Sequence, residues 1–223
     1  YEIAAYIAGS PFKDQTYLSN WLGGFFKERM ITNDEIEKTV SQLVENLDDE
    51  EDKIAVIYRF LQDNIRYVSI KTSLSSGLAG HKATETFANR YGDCIDKAIL
   101  FATMLQFVNV EAYPVVVMTN GNPQPIYDKL GVLNGNHAIN EIHLKNGKVI
   151  HLDSTANSYR YPFFRSDDHG IIAWNPIKNT LRNTGFPNTE DESITSELDI
   201  TLMKNGSANV KETITTRGNP EIS

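Results

Sequence analysis

Arg90-Tyr91-Gly92-Asp93-Cys94-Ile95-Asp96-Lys97-Ala98-Ile99-Leu100-Phe101-Ala102-Thr103-Met104-Leu105 is the stretch on which the fold class turns. From Ala98 to Leu105 every residue but Thr103 is apolar. With no polar stripe, the run predicts a helix buried nearly all round. Asp93 suits the N-cap, because a carboxylate there accepts from the free N–H groups of the first turn, and Cys94 then becomes the first helical residue. Those N–H groups and the helix dipole favour the negative form of a side chain placed there. They can also bind an oxyanion formed on an attacked carbonyl. One position thus answers two needs of acyl transfer.

Upstream, helical periodicity dominates. Residues 14–29 place Tyr17, Leu18, Trp21, Leu22, Phe25 and Phe26 at helical spacing. Thr32 and Glu35 form a capping-box pattern that opens a second helix, running to about Glu45 with Ile36, Val40, Leu43 and Val44 on its inner face. Asp48 and Glu51 repeat the pattern for a third helix, which reaches about Asn64 and buries Ile54, Ile57, Tyr58 and Leu61. The acidic run Asp48 to Asp52 complements the dipole of that helix and lacks the ligand spacing of a calcium loop. Ile65 to Ile70 reads as a short extended segment, and Ser73 to Gly80 as a flexible one.

Beyond Glu111 the pattern changes to strands over 112–118, 137–144 and 149–155. The first two are separated by about 18 residues containing Pro123 and Pro125, longer than a structural connection needs, and such loops often border sites. The last two are joined by Lys145-Asn146-Gly147-Lys148, a hairpin signal. A plain two-residue Asn146-Gly147 turn would set His137 and Asp153 on opposite faces. A three-residue loop with Gly147 left-handed and a bulge places His137, Ile139, Glu141, His143, Val149, His151, Asp153 and Thr155 on one face. It also gathers Ile142, Leu144, Ile150 and Leu152 on the other, so burial selects this register. His137 is then the diagonal neighbour of Asp153 at ~7–8 Å between backbones, within side-chain reach. An imidazole and an orienting carboxylate result. His143 and His151 lie nearer the turn with no third ligand at suitable spacing, which reads as solvated strand histidines rather than a zinc pair. His81 and His169 lie in loops and carry no further signal.

The combination of Tyr91-Gly92-Asp93-Cys94, Asp96-Lys97 and a buried helix, then His137-Ala138 opening a strand, then His151-Leu152-Asp153-Ser154-Thr155 on the next, resembles the transglutaminase-like superfamily over about residues 30–160. That resemblance implies a papain-like Cys-His-Asp enzyme of a bacterial branch, in which the core sits between β-rich domains of a longer exported protein, periplasmic or at the cell surface. By the resemblance Cys94 is the nucleophile, His137 the general base and acid, and Asp153 the residue orienting His137. Ile95 stands where bacterial relatives often have Lys and the animal crosslinking enzymes Trp, and Ile139 where an aromatic residue often follows His-Ala. Tyr67, Tyr91 and Asn136 are the candidates for an oxyanion side chain. Nothing matches the calcium-binding additions of the animal enzymes, and no cofactor or metal is expected.

The whole chain agrees with this class. Its 223 residues hold 21 basic and 29 acidic side chains, a net charge of -8. Nucleic acid is therefore a disfavoured partner. No apolar run approaches the ~18–20 residues of a membrane span. A single cysteine excludes an internal disulfide and a zinc site built on cysteine pairs. The first residue is Tyr1 and no leader pattern follows it, so the chain is expected to be a fragment of a longer protein.

The expected fold is α+β, with N-terminal helices, the Cys94 helix packed on an antiparallel sheet from 112–155, and a C-terminal β segment. A domain over 1–188 is followed by 189–223, where Leu198–Met203 and Ala208–Ile214 flank Lys204-Asn205-Gly206-Ser207 as a second hairpin that starts a further β-rich domain. The expected substrate is a protein or peptide amide. Hydrolysis is favoured over crosslinking, because crosslinking needs a second amine site and exclusion of water and the sequence shows neither. A non-catalytic binding or assembly domain of the same fold is the competing expectation.

Overall fold

A computed structural model describes residues 10–69, 79–119, 135–188 and 193–218. Three N-terminal helices come first: α1 (Gln15–Arg29), α2 (Asp34–Leu43) and α3 (Glu50–Asn64). Asp14, Asn33 and Asp49 cap them through their side chains. The N-caps expected at Thr32 and Asp48 therefore each fall one residue later. Asn33 accepts from Ile36 N–H and Asp49 from Glu51 and Asp52 N–H, so in both places the next polar residue along reaches the orphan donors.

A short helix unmarked by any sequence pattern, α4 (Ala83–Asn89), leads to the buried helix α5 (Cys94–Phe107). Every residue of α5 from Cys94 to Leu105 is buried, as the absence of a polar stripe requires. Asp93 caps it, and Asp96 completes a reciprocal capping box. Strand β1 (Arg66–Tyr67) pairs in parallel with β2 (Tyr91–Gly92), which sets Tyr67 opposite Gly92, two residues before the thiol. Gly92 has a steric reason, since a Cβ there would lie 2.6 Å from the Asp96 Cβ. Lys97 is fully buried and its ammonium donates to the Leu61 and Ile65 carbonyls at 3.0 and 2.6 Å. The Leu61 carbonyl already accepts from the Ile65 N–H at 3.1 Å, and Ile65 is the C-cap of α3, so one cation adds to the C-terminal end of that helix and ties it to α5.

The sheet is antiparallel in the order β5-β4-β3-β6-β7, with β3 (Glu111–Val117), β4 (His137–His143), β5 (Val149–Leu152), β6 (Ile172–Asn175) and β7 (Thr180–Asn183). The β4–β5 register pairs Asn140 with Leu152 and His143 with Val149, the bulged-turn register that burial selects. Gly147 has φ +84° and its N–H donates to the Leu144 carbonyl at 2.9 Å. One face of the sheet packs on α5 through β3 and β4 and joins the main core through Ala112, Val116, Ala138, Ile142, Leu152 and Trp174. Asn140 donates to the Ala98 carbonyl at 2.8 Å and ties the histidine strand to the cysteine helix.

The opposite face is also buried, and here the sequence reading is corrected. Strands β6 and β7 were unmarked in the sequence, and β6 carries a second small core of Val115, Val117, Ile139, Ile171 and Ala173. His151 is consequently 4% exposed and faces Glu141 rather than solvent. Residues 70–78 and 120–134, which hold most of the expected flexible segment and of the long loop, lie outside the described residues.

The chain divides into two compact units, Tyr1–Gly185 and Phe186–Ser223. The second consists, among the described residues, of a two-stranded ribbon, β8 (Ser193–Leu202) with β9 (Ala208–Arg217).

Candidate active site

Three elements deliver the site. Cys94 comes from the first position of α5, His137 from the first residue of β4, and Asp153 from the turn directly after β5. His137 Nε2–H donates to Asp153 Oδ2 at 3.1 Å. With Nε2 so engaged, Nδ1 is the ring nitrogen left for the thiol, and the Cys94 side chain acts on the ring by favouring its protonated form. The structure thus brings together all three residues singled out in the sequence, and Cys94 is 5% exposed.

Asp153 is held from two sides. Thr155 donates its N–H to Oδ1 at 2.8 Å and its hydroxyl to Oδ2 at 2.9 Å. Tyr58 of α3 donates its hydroxyl to the Asp153 carbonyl at 2.8 Å, and the Gln62 amide donates to the Ala156 and Tyr159 carbonyls. One helix therefore clamps the backbone that carries the carboxylate. Burial by itself would raise the Asp153 carboxyl, but the bonds from His137 and Thr155 outweigh it and hold the group below the usual range. Burial works against the charged form of His137 too; the bonds and charges of Asp153 and Cys94 overcome it and push the imidazole up to about 10. At neutral pH the ring carries its proton.

Asp168 is the residue the sequence did not point to. It ends the 3₁₀ turn Ser166–Asp168, is 0% exposed, and brings Oδ2 to 3.9 Å from His137 Nε2. Burial, and next the charge of Asp153, push its carboxyl up to about 6, while His137 pulls the other way. Its only sequence context is an acidic pair in a loop, with no period or spacing to single it out.

Of the three oxyanion candidates, Tyr67 is the one whose phenol senses Cys94: burial raises it first, and the thiol adds to that. Tyr91 is exposed. Asn136 spends its side chain on the Thr119 backbone, accepting from N–H at 2.9 Å and donating to the carbonyl at 3.3 Å. Ile139, the departure after His-Ala, serves the small core behind the sheet. His143 and His151 meet Glu141, at 2.9 and 3.8 Å. Asn175 also donates to Glu141, at 2.9 Å, and Arg182 Nε lies 3.5 Å away. His81, unmarked in the sequence, bonds Asp96 at 3.1 Å and so buttresses the partner of Asp93 in the capping box of α5.

Helices on one face of a curled antiparallel sheet, with a cysteine at a buried helix N-terminus beside a strand histidine, define a papain- and transglutaminase-like α+β domain. The chain belongs to the transglutaminase-like superfamily, whose family model matches residues 37–154, more than half of it. No curated protein matches the chain. Among solved structures it resembles a proposed protease from Parabacteroides distasonis, at a TM-score of 0.59 and 14% identity, covering 78% of this chain and 32% of that one. A proposed cysteine protease from Cytophaga hutchinsonii aligns at a TM-score of 0.43 and 15% identity, over 86% of this chain and 56% of the other. The chain therefore spans about a third and just over half of their respective lengths.

Proposed function

We propose that this domain hydrolyses peptide or amide bonds through a thioester on Cys94. The observation that carries the reading is the place of the His137 ring, bonded to Asp153 at 3.1 Å and under the influence of the Cys94 side chain. The thiolate attacks the carbonyl carbon and forms a C–S bond, and negative charge collects on the carbonyl oxygen. The Ile95 and Asp96 N–H groups are occupied by the Asp93 carboxylate, so the oxyanion falls to the Cys94 N–H and the Tyr67 hydroxyl. Collapse breaks the C–N bond while the imidazolium gives its proton to the departing amine. Water then loses a proton to His137 and attacks the thioester, the acid leaves, and the thiolate returns. A ring held protonated at neutral pH suits the amine-expelling step, the difficult one for an amide.

The near-complete burial of Cys94 favours a second reading, a non-catalytic domain serving binding or assembly. Iodoacetamide labelling followed by mass spectrometry separates the two. The enzyme reading expects Cys94 to label at pH 7 at least about tenfold faster in the wild type than in His137→Ala. Fluorescent casein should be cleaved by the wild type, with a loss of at least ~10³-fold in Cys94→Ala or His137→Ala. Equal labelling of the wild type and His137→Ala, with no cleavage, would leave the binding domain as the function. Adding a primary amine during casein turnover should yield mostly free acid. Predominant amide product would replace hydrolysis by crosslinking.

A further inference from the structure

We propose that Asp168 is a positioning residue for His137, gripping the Nε2 edge of the ring jointly with Asp153 so that two carboxylates from separate elements hold one imidazolium. The inference rests on the reading above for its catalytic consequence, though not for its physical content.

Three observations carry it. Asp168 is wholly buried, and among the described residues neither of its side-chain oxygens has a hydrogen bond of ordinary geometry, the Thr119 side chain being the one uncharged polar neighbour that eases the carboxyl. Such a carboxyl costs free energy unless a cation stands close by. The guanidinium of Arg165 is engaged with the neighbouring Asp167, whereas His137 Nε2 lies 3.9 Å from Asp168 Oδ2. Finally, His137, Asp153 and Asp168 place one ligand-type atom each within 4.8 Å of one another, so the ring edge faces both carboxylates at once.

The same closeness has the reach of a metal site, but the surroundings speak against one. Both Asp153 oxygens already accept from Thr155, and Arg165 Nε stands 3.9 Å from Asp153 Oδ2, a cation where an ion would be repelled. The charged and titratable groups facing the pair are Asp153, Asp167, Arg165, Cys94 and Tyr58. Among these, Asp153 and Cys94 act on the ring, and Asp153 and Asp167 on the Asp168 carboxyl, while Arg165 is drawn to both Asp153 and Asp168. An ionised Asp168 adds negative charge beside Nε2 and makes the ring harder to deprotonate. Loss of that charge by protonation below about pH 6 loosens the grip without displacing Asp153.

The test is an NMR titration of ¹⁵N-histidine-labelled protein, which needs no substrate. In the wild type the His137 ring should titrate near pH 10 and show a smaller step where Asp168 ionises. In Asp168→Asn the main midpoint should fall by about 1–3 pH units. If casein is cleaved, the alkaline limb of the kcat/KM profile should move down by the same amount, with KM little changed. A midpoint within about 0.3 unit of the wild type, in a variant whose remaining spectrum is native, overturns the proposal. Should Asp168→Asn fail to fold, the wild type still decides: a ¹³C-labelled Asp168 carboxyl that titrates with no step in the His137 signals overturns it. So does displacement of the His137 signals by stoichiometric zinc, which would make the trio a metal site. Absence of casein cleavage would sink the peptidase reading and leave this result standing.

Discussion

Two hairpins in this chain are built on the same turn and end in opposite surroundings. In the first, Gly147 has φ +84° and closes Leu144 on Lys148; in the second, Gly206 has φ +82° and closes Met203 on Ser207. In both, the asparagine before the glycine accepts from the N–H two residues on, Asn146 from Lys148 and Asn205 from Ser207. Counting outward from each glycine, Glu141 opposite His151 corresponds to Ile200 opposite Val210. His137 with Asp153 corresponds to Ser196 with Glu212, and that second diagonal is also hydrogen-bonded, at 2.7 Å. The turn therefore sets register and brings the diagonal together in both places. What differs is burial: the first hairpin encloses a glutamate and a histidine, while the ribbon exposes Ile200 and Val210. A diagonal pair in water is a surface contact worth tenths of a kcal/mol; sealed beside a thiol, its charges shift by whole pH units.

The contrast is sharpened most by pH. Burial holds His151 down to about 4 against its usual 6.5, with Glu141 opposing and Arg182 assisting. The unfolded chain then binds the extra proton between those values, so this group subtracts stability as pH falls from 6.5 to 4. The loss is about 3 kcal/mol in that window. Asp168, raised to about 6, works in the opposite direction over much of the same range, so the comparison must be wild type against His151→Phe. Urea unfolding at pH 7 and pH 4.5 should show a markedly smaller acid loss in His151→Phe, and an unchanged loss would mean that the site is wetter than the structure has it. Next in size is Thr155→Val, which removes one hydrogen bond to Asp153 Oδ2. We expect kcat for casein to fall about tenfold with KM little altered, as the carboxylate loses a restraint on its orientation. The smallest effect is at the turns. Gly147→Ala and Gly206→Ala carry the same left-handed strain, about 1 kcal/mol each. Denaturant melts of the 1–185 unit should register the first change and be unmoved by the second, which local amide exchange in the ribbon should report instead.

Much of the fold was legible from local pattern. The all-apolar run after Cys94 announced a buried helix, Asp93 its cap, and Lys145-Asn146-Gly147-Lys148 a register that unites His137 with Asp153. Less was legible where the signal was not periodic. The β6–β7 hairpin hides in Ile172-Ala173-Trp174-Asn175 and Thr180-Leu181-Arg182-Asn183, too short and too mixed to alternate visibly. With it unseen, the second face of the sheet looked solvated, and His151 was read as a surface residue. The N-caps of α2 and α3 missed by one position because adjacent polar residues compete for the same donors.

By itself the sequence determined the helix that presents the thiol, the strand order of the His–Asp hairpin and the residue types at the site, since all three follow from side-chain period and turn chemistry within a few residues. Only the tertiary structure decided that Asp168 stands behind His137, that Lys97 reaches the end of α3, and that the His–Asp hairpin is enclosed on both faces. Those facts depend on which distant surfaces meet, and burial, which turns a polar contact into a shifted charge, has no signature in the order of residues.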